Sequence, residues 1–218
     1  DEYFFEIDLL LGLNSFINKD YKTAEKYFMR LNNLSRRDLI FENFIANTLM
    51  AWTKASKNKK DDGLKFFENI PGQYRGLIKI QSIFLKCYFD SDEVQTSYEE
   101  LIADKDYDFS RYNFFLANYL LFKNNTLEAG NIIEKSRQLN NSNLLIKQTE
   151  SFILNNQEKK IKNFFNCKNA RDSIAELFYI VANLYASERY YSLSNFYLRI
   201  SLFMNEKFLT NSALLAEN

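Results

Sequence analysis

The chain has 218 residues, with 28 Lys+Arg against 28 Asp+Glu, 46% hydrophobic residues and 26% charged residues. That is the balance of a chain that folds in water, and its zero formal charge leaves no global field to draw in nucleic acid or an anionic membrane. Five Gly and one Pro are too few for a sandwich or barrel of short strands, and the absence of histidine removes His-based acid–base catalysis and every His-containing metal site.

Apolar residues recur at helical spacing almost throughout. Tyr3 to Asn18 places Phe4, Ile7, Leu10 and Leu11 along one side; Asn18-Lys19-Asp20 breaks the pattern, and Tyr21 to Leu31 restarts it with Ala24, Phe28 and Leu31. A long helix is expected from about Arg37 to Ser56. The polar break Lys57-Asn58-Lys59-Lys60 precedes the next apolar segment, and Pro71 opens another helix. Breaks follow at Asp90-Ser91-Asp92, Lys123-Asn124-Asn125 and Ser187-Glu188-Arg189. Between the last two, Ser142 to Leu154 reads as a helix and Lys160 to Cys167 as a short basic partner. Asn205 to Asn218 begins one more helix, read either as a cap or as the start of a continuing array; a fragment of a longer chain is the favoured expectation. Short polar breaks between segments of this length are the pattern of helical hairpins.

A small residue, a large one four places on and an apolar one three further recur after each break. The sets are Ala24, Phe28, Leu31; Gly63, Phe67, Ile70; Val94, Tyr98, Leu101; Ala129, Ile133, Ser136; and Ser194, Leu198, Ser201. Anchored on the small residue, the steps are 39, 31, 35 and then 65 residues, the last about two units. A small side chain at a helix crossing admits the large one beside it.

These residues resemble the tetratricopeptide repeat (TPR) family, a 34-residue helix–turn–helix unit. Leu11-Gly12, Tyr21, Ala24 and Phe28 carry the likeness in the first unit, Leu116-Ala117 and Ala129 in the fourth, and Phe178, Ala182 and Tyr185 in the last. The closing proline of the family is missing throughout. The block Ala170 to Met204 resembles bacterial TPR proteins of alphaproteobacterial type, and the wealth of Asn, Lys, Ile and Phe fits an AT-rich genome. The resemblance implies an all-α fold, a right-handed α-solenoid of antiparallel helix pairs forming one continuous array. Residues 1–156 would hold four repeats and the start of a degenerate fifth, and residues 157–218 a degenerate helix, one good repeat and a partial or capping helix.

By the same resemblance, ligand-facing places on the first helices fall on Leu13, Phe16 and Ile17; on Arg111, Phe114, Asn118, Leu121 and Phe122; and on Tyr179 and Asn183. The expected activity is non-catalytic, a scaffold that binds a protein or peptide segment, with Asn118 and Asn183 placed to bond an extended backbone. A small-molecule or lipid binder and a regulatory arm of a larger enzyme are the alternatives. No cofactor, metal or nucleic-acid partner is expected, and no apolar run is long enough to span a bilayer. Asp104, Asp106 and Asp108 imitate the start of a calcium loop, but Phe109 and Phe115 stand where it needs Gly and Glu. Cys87 and Cys167 read as two buried or inert thiols, and the choice between bacterial cytoplasm and periplasm stays open.

Overall fold

The computed structural model describes residues 4–33, 41–139 and 143–208. Among them are twelve α-helices and no strand, so the fold is all-α as expected. They run α1 (Phe5–Ile17), α2 (Tyr21–Asn33), α3 (Glu42–Ser56), α4 (Lys60–Glu68), α5 (Arg75–Tyr88), α6 (Val94–Ile102), α7 (Tyr112–Phe122), α8 (Thr126–Leu139), α9 (Leu144–Leu154), α10 (Glu158–Phe164), α11 (Ala170–Ser187) and α12 (Tyr191–Met204). A 3-10 turn, Gly72–Tyr74, follows Pro71 and leads into α5. Two compact units divide the chain, Asp1–Leu85 and Lys86–Asn218.

Every odd-numbered helix ends in the same way. Lys19, Asn58, Asp90, Asn124, Asn156 and Arg189 each adopt a left-handed backbone, with φ between 54° and 64°. At the first, the Lys19 N–H donates to Phe16 O (3.0 Å) and the Asp20 N–H to Ser15 O (2.9 Å). At the last, Arg189 donates to Ala186 O (2.9 Å) and Tyr190 to Tyr185 O (2.8 Å), and the same two bonds recur at the other four. This is the Schellman closure, which satisfies two carbonyls left over at a helix end. The turn residues are 39, 32, 34, 32 and 33 residues apart, 34 on average. Asn and Asp accept a left-handed backbone more readily than other residues with a Cβ, and four of the six turns use them.

Small residues hold the helices of a pair together. Seven places before the turn residue stand Gly12, Ala51, Ala117 and Ala182, all buried. Five places after it stand Ala24, Gly63, Ala129 and Ser194, also buried. After the third turn Val94, also buried, stands four places on rather than five. All fifteen residues of the five recurring sets are buried. An added Cβ on Gly12 would lie 2.7 Å from Phe28 Cδ1, and closer still to Cε1; one on Gly63 would lie 3.0 Å from the carbonyl oxygen of Ala51. The exclusion of a side chain therefore sets the spacing of α1 on α2 and of α3 on α4.

The first unit also buries a polar pair, Trp52 Nε1 donating to Gln81 Oε1 at 2.8 Å. In the second unit the expectation of two inert thiols is corrected: Cys87 and Cys167 form a disulfide, with Cα atoms 5.8 Å apart across 80 residues of sequence. Lys168 adds to this junction by donating from Nζ to Tyr88 O at 3.0 Å and pairing with Asp90. The short basic partner of α9 is also corrected. It spans Glu158–Phe164 rather than Lys160 to Cys167, because Phe165 turns to extended backbone (φ −151°, ψ 135°). Asn205 to Phe208 is not helical, since α12 ends at Met204. The remainder of that expected helix, from residue 209, lies outside the described residues, as do residues 37–40 of the expected long helix.

Gly12→Ala should destabilise the chain by about 1–3 kcal/mol, because the Phe28 ring it meets is fully buried and has nowhere to swing. Gly130→Ala in α8 meets only Ile153 Cγ2 at 3.8 Å, an ordinary contact, and should stabilise by about 0.5–1 kcal/mol through helix propensity. Urea titrations that gave the two substitutions the same sign would refute this packing account. Reducing Cys87–Cys167 should cost about 2–4 kcal/mol, read as a lower urea midpoint in dithiothreitol than without it.

Candidate functional site

The second unit brings several of the expected ligand-facing residues together, but around groups of its own chain. Arg111 stands just before α7 and Glu176 lies on α11. The guanidinium donates to both carboxylate oxygens, at 2.8 and 2.9 Å. Glu176 has no solvent exposure and the Arg111 side chain 18%. Above the guanidinium lies the Tyr179 ring, its centroid 4.0 Å from Cζ, and the Phe208 ring is 5.2 Å away. A charge taken out of water persists only when paired and hydrogen-bonded, and this fork supplies both conditions. Burial, reinforced by the Glu176 charge, pushes the Tyr98 and Tyr112 hydroxyls well above the ordinary phenol range.

Phe114 is buried with its ring centroid 5.3 Å from that of Phe208, which also stacks on Phe164 at 6.0 Å. Asn118 is buried too, and its amide donates to Ile161 O in α10 at 3.0 Å. It thus bonds a backbone carbonyl, as the resemblance implied, but one belonging to this chain. Leu121 is buried, Phe122 is 40% exposed, Tyr179 is half-buried and Asn183 is exposed. In the first unit Leu13 and Phe16 are buried and Ile17 is half-buried. Of the ten places, only Phe122 and Asn183 are exposed.

Open surface lies elsewhere in the second unit. A cleft of about 590 Å³ runs between the end of α6, the loop 103–111, the start of α7 and α8. Its apolar lining includes Ile102, Phe109, Leu116 and Ile132. Tyr107 (56% exposed) and Leu139 (75% exposed) stand at it, and the Tyr107 ring is 5.7 Å from that of Phe109. The Ser136 hydroxyl in the same lining is buried without a hydrogen-bond partner among the described residues. Four carboxylates, Glu99, Asp104, Asp108 and Glu128, share the cleft with one cation, Lys135. Gln95 holds Glu99 and Glu128 side by side, donating at 3.0 and 2.8 Å.

The loop aspartates, weighed from sequence only against a calcium loop, have a local task. Asp104 accepts the N–H of Asp106 (3.0 Å) and Asp108 that of Ser110 (2.9 Å), so each closes a tight turn. These turns carry Tyr107 outward and bring Phe109 inward. The sequence signal was available in the Asx spacing at 104–106 and 108–110. A second groove, about 530 Å³, lies between α8 and α9 against Leu127 and Leu154, which are 79% and 76% exposed. Among the described residues no group of three or more Cys, Asp or Glu side chains is placed to hold a metal ion. Chemically, the first cleft offers apolar contact under an acidic rim, which suits a large apolar side chain flanked by positive charge.

Glu176→Gln should cost about 3–5 kcal/mol, since it strands the Arg111 charge in a largely buried place, whereas Tyr179→Leu removes only the ring above it and should cost less. Equal losses of stability in a urea titration would show that the ion pair does not hold α7 to α11.

No protein-family model, no curated protein and no solved structure matches this chain.

Proposed function

We propose that the chain is a non-catalytic helical-repeat scaffold of tetratricopeptide type, its helix pairs stacked antiparallel in a right-handed solenoid, and that it binds a segment of another protein. The recurrence of one turn geometry at an average step of 34 residues carries this reading. Six units sharing one turn, four of them with the same pair of small-residue positions, fit a stacked array, because a single hairpin cannot bury its apolar face alone. The contact surface moves from the filled inner positions of α7 and α11 to the open cleft beside Tyr107 and Leu139. Its apolar lining and acidic rim favour a segment with an aromatic or long aliphatic anchor beside Lys or Arg. The Cys87–Cys167 disulfide supports work on the oxidising side of a membrane, the periplasmic one of the two compartments.

Selection of random peptides on the immobilised whole chain tests the proposal. Enriched sequences should pair a large apolar residue with a basic one. Tyr107→Ala with Leu139→Ser should weaken their binding by about tenfold or more. A library that yields no binder overturns the scaffold reading. Binders indifferent to the double substitution overturn the cleft as their site.

A further inference from the structure

Where the segment after α10 meets the start of α11 and the end of α12, the second unit holds a polar cavity of about 580 Å³. Buried hydrogen bonds fix its walls. Asp172, 8% exposed, accepts the Asn166 N–H at 2.9 Å and the Asn169 side-chain amide at 2.7 Å. The Cys87–Cys167 bond anchors the same segment. Asn205, also buried, donates to Phe164 O at 2.8 Å and accepts the Lys207 N–H at 3.1 Å. A cavity held in this way is shaped before any ligand arrives.

Three cations line it, Lys162, Arg171 and Lys207, with two acids, Asp172 and the exposed Glu206. Among the described residues none of these cations forms an ion pair. Phe203 O orients Arg171 by accepting from Nη2 at 3.1 Å, while Arg171 Nε is buried with no acceptor among the described residues. An N–H shut off from water and from any acceptor is costly, and a ligand oxygen would relieve it. The N-terminus of α11, an 18-residue helix, adds its partial positive charge. Burial pushes the Asp172 carboxyl up to about 6, against the Asn166 N–H and the Lys207 and Arg171 charges that favour its ionised form. Phe203, 59% exposed, presents an open ring on the same wall.

We propose that this cavity binds a small ring-bearing phosphate ester, its phosphate among Arg171, Lys207 and Lys162 and its ring against Phe203. A planar guanidinium and two ammonium groups suit a compact, doubly charged oxyanion. The volume falls within the range of small-molecule sites and leaves room for the body of an ester. Asp172 is the buried acid of the cavity, and its charge weakens the hold on an anion. The inference rests on this cavity alone and not on the cleft beside Tyr107.

The probe is phenyl phosphate, titrated by calorimetry into the whole oxidised chain at about pH 8, where Asp172 is ionised. Binding should be saturable, and phenol, which lacks the charge, should bind about tenfold more weakly or worse. Lys207→Gln alters an exposed side chain and should weaken phenyl phosphate by about threefold or more, and Arg171→Gln by about tenfold or more. Asp172→Asn keeps an acceptor for the Asn166 N–H and should tighten binding instead. Opposite effects of Lys207→Gln and Asp172→Asn cannot both come from lost folding, and circular-dichroism melts confirm that each variant is folded. Absent saturation, equal binding of phenol, or indifference to both Lys207→Gln and Arg171→Gln overturns the proposal. Loss in Tyr107→Ala with Leu139→Ser also overturns it, by moving the ligand to the cleft, and leaves the peptide-binding reading to its own test. Binding to vesicles of phosphatidylcholine and phosphatidic acid without binding of phenyl phosphate would give the cations to a membrane and overturn it equally.

Discussion

Close approach of consecutive helices is the constraint on which this molecule depends. At Gly12 the ring of Phe28 occupies the volume a methyl group would need, and at Gly63 the backbone of α3 comes within 3.0 Å of where a Cβ would sit. Such contact requires small residues at fixed distances from a turn of fixed shape. A turn of another geometry would rotate the second helix and carry Ala24 or Ala129 off the contact. Turn and small residue are thus one device. Its repetition places every small–large–apolar set in the interior.

How much of this was legible in the sequence follows from range. The breaks at Lys19, Asn58, Asp90, Asn124 and Arg189 were visible because polar residues interrupt an apolar period, and the recurring sets were visible because helix packing imposes local spacing. The left-handed backbone was less visible, since no turn uses Gly and two use Lys and Arg. Pairing of Cys87 with Cys167 left no local trace across 80 residues. The start of α10 and its early end at Phe165 were missed because Phe165 leaves the helix to pack its ring edge-on against Phe115, 4.8 Å between centroids.

The candidate site was less legible than the fold for the same reason. A helix periodicity says which side of α7 is apolar but not what meets it. Arg111 finds Glu176 at 65 residues' remove, Asn118 finds Ile161, and Phe114 finds Phe208. Each of these partners fills a place that family likeness reserves for a visitor. The cleft beside Tyr107 instead arises where the connection between α6 and α7 is long and two aspartates fold it into successive tight turns. The irregular connection, rather than the recurring turn, makes the concavity there.

The disulfide has a mechanical consequence. It ties the end of α5 to the segment after α10, so α6 to α10 lie within a covalent ring. Tension applied at the two chain ends passes through the sulfur–sulfur bond and leaves the ring slack. About 80 residues of contour, roughly 270 Å when extended, stay stored until a reductant opens the bond. Stretching alone loads the flanking helices and not the middle ones.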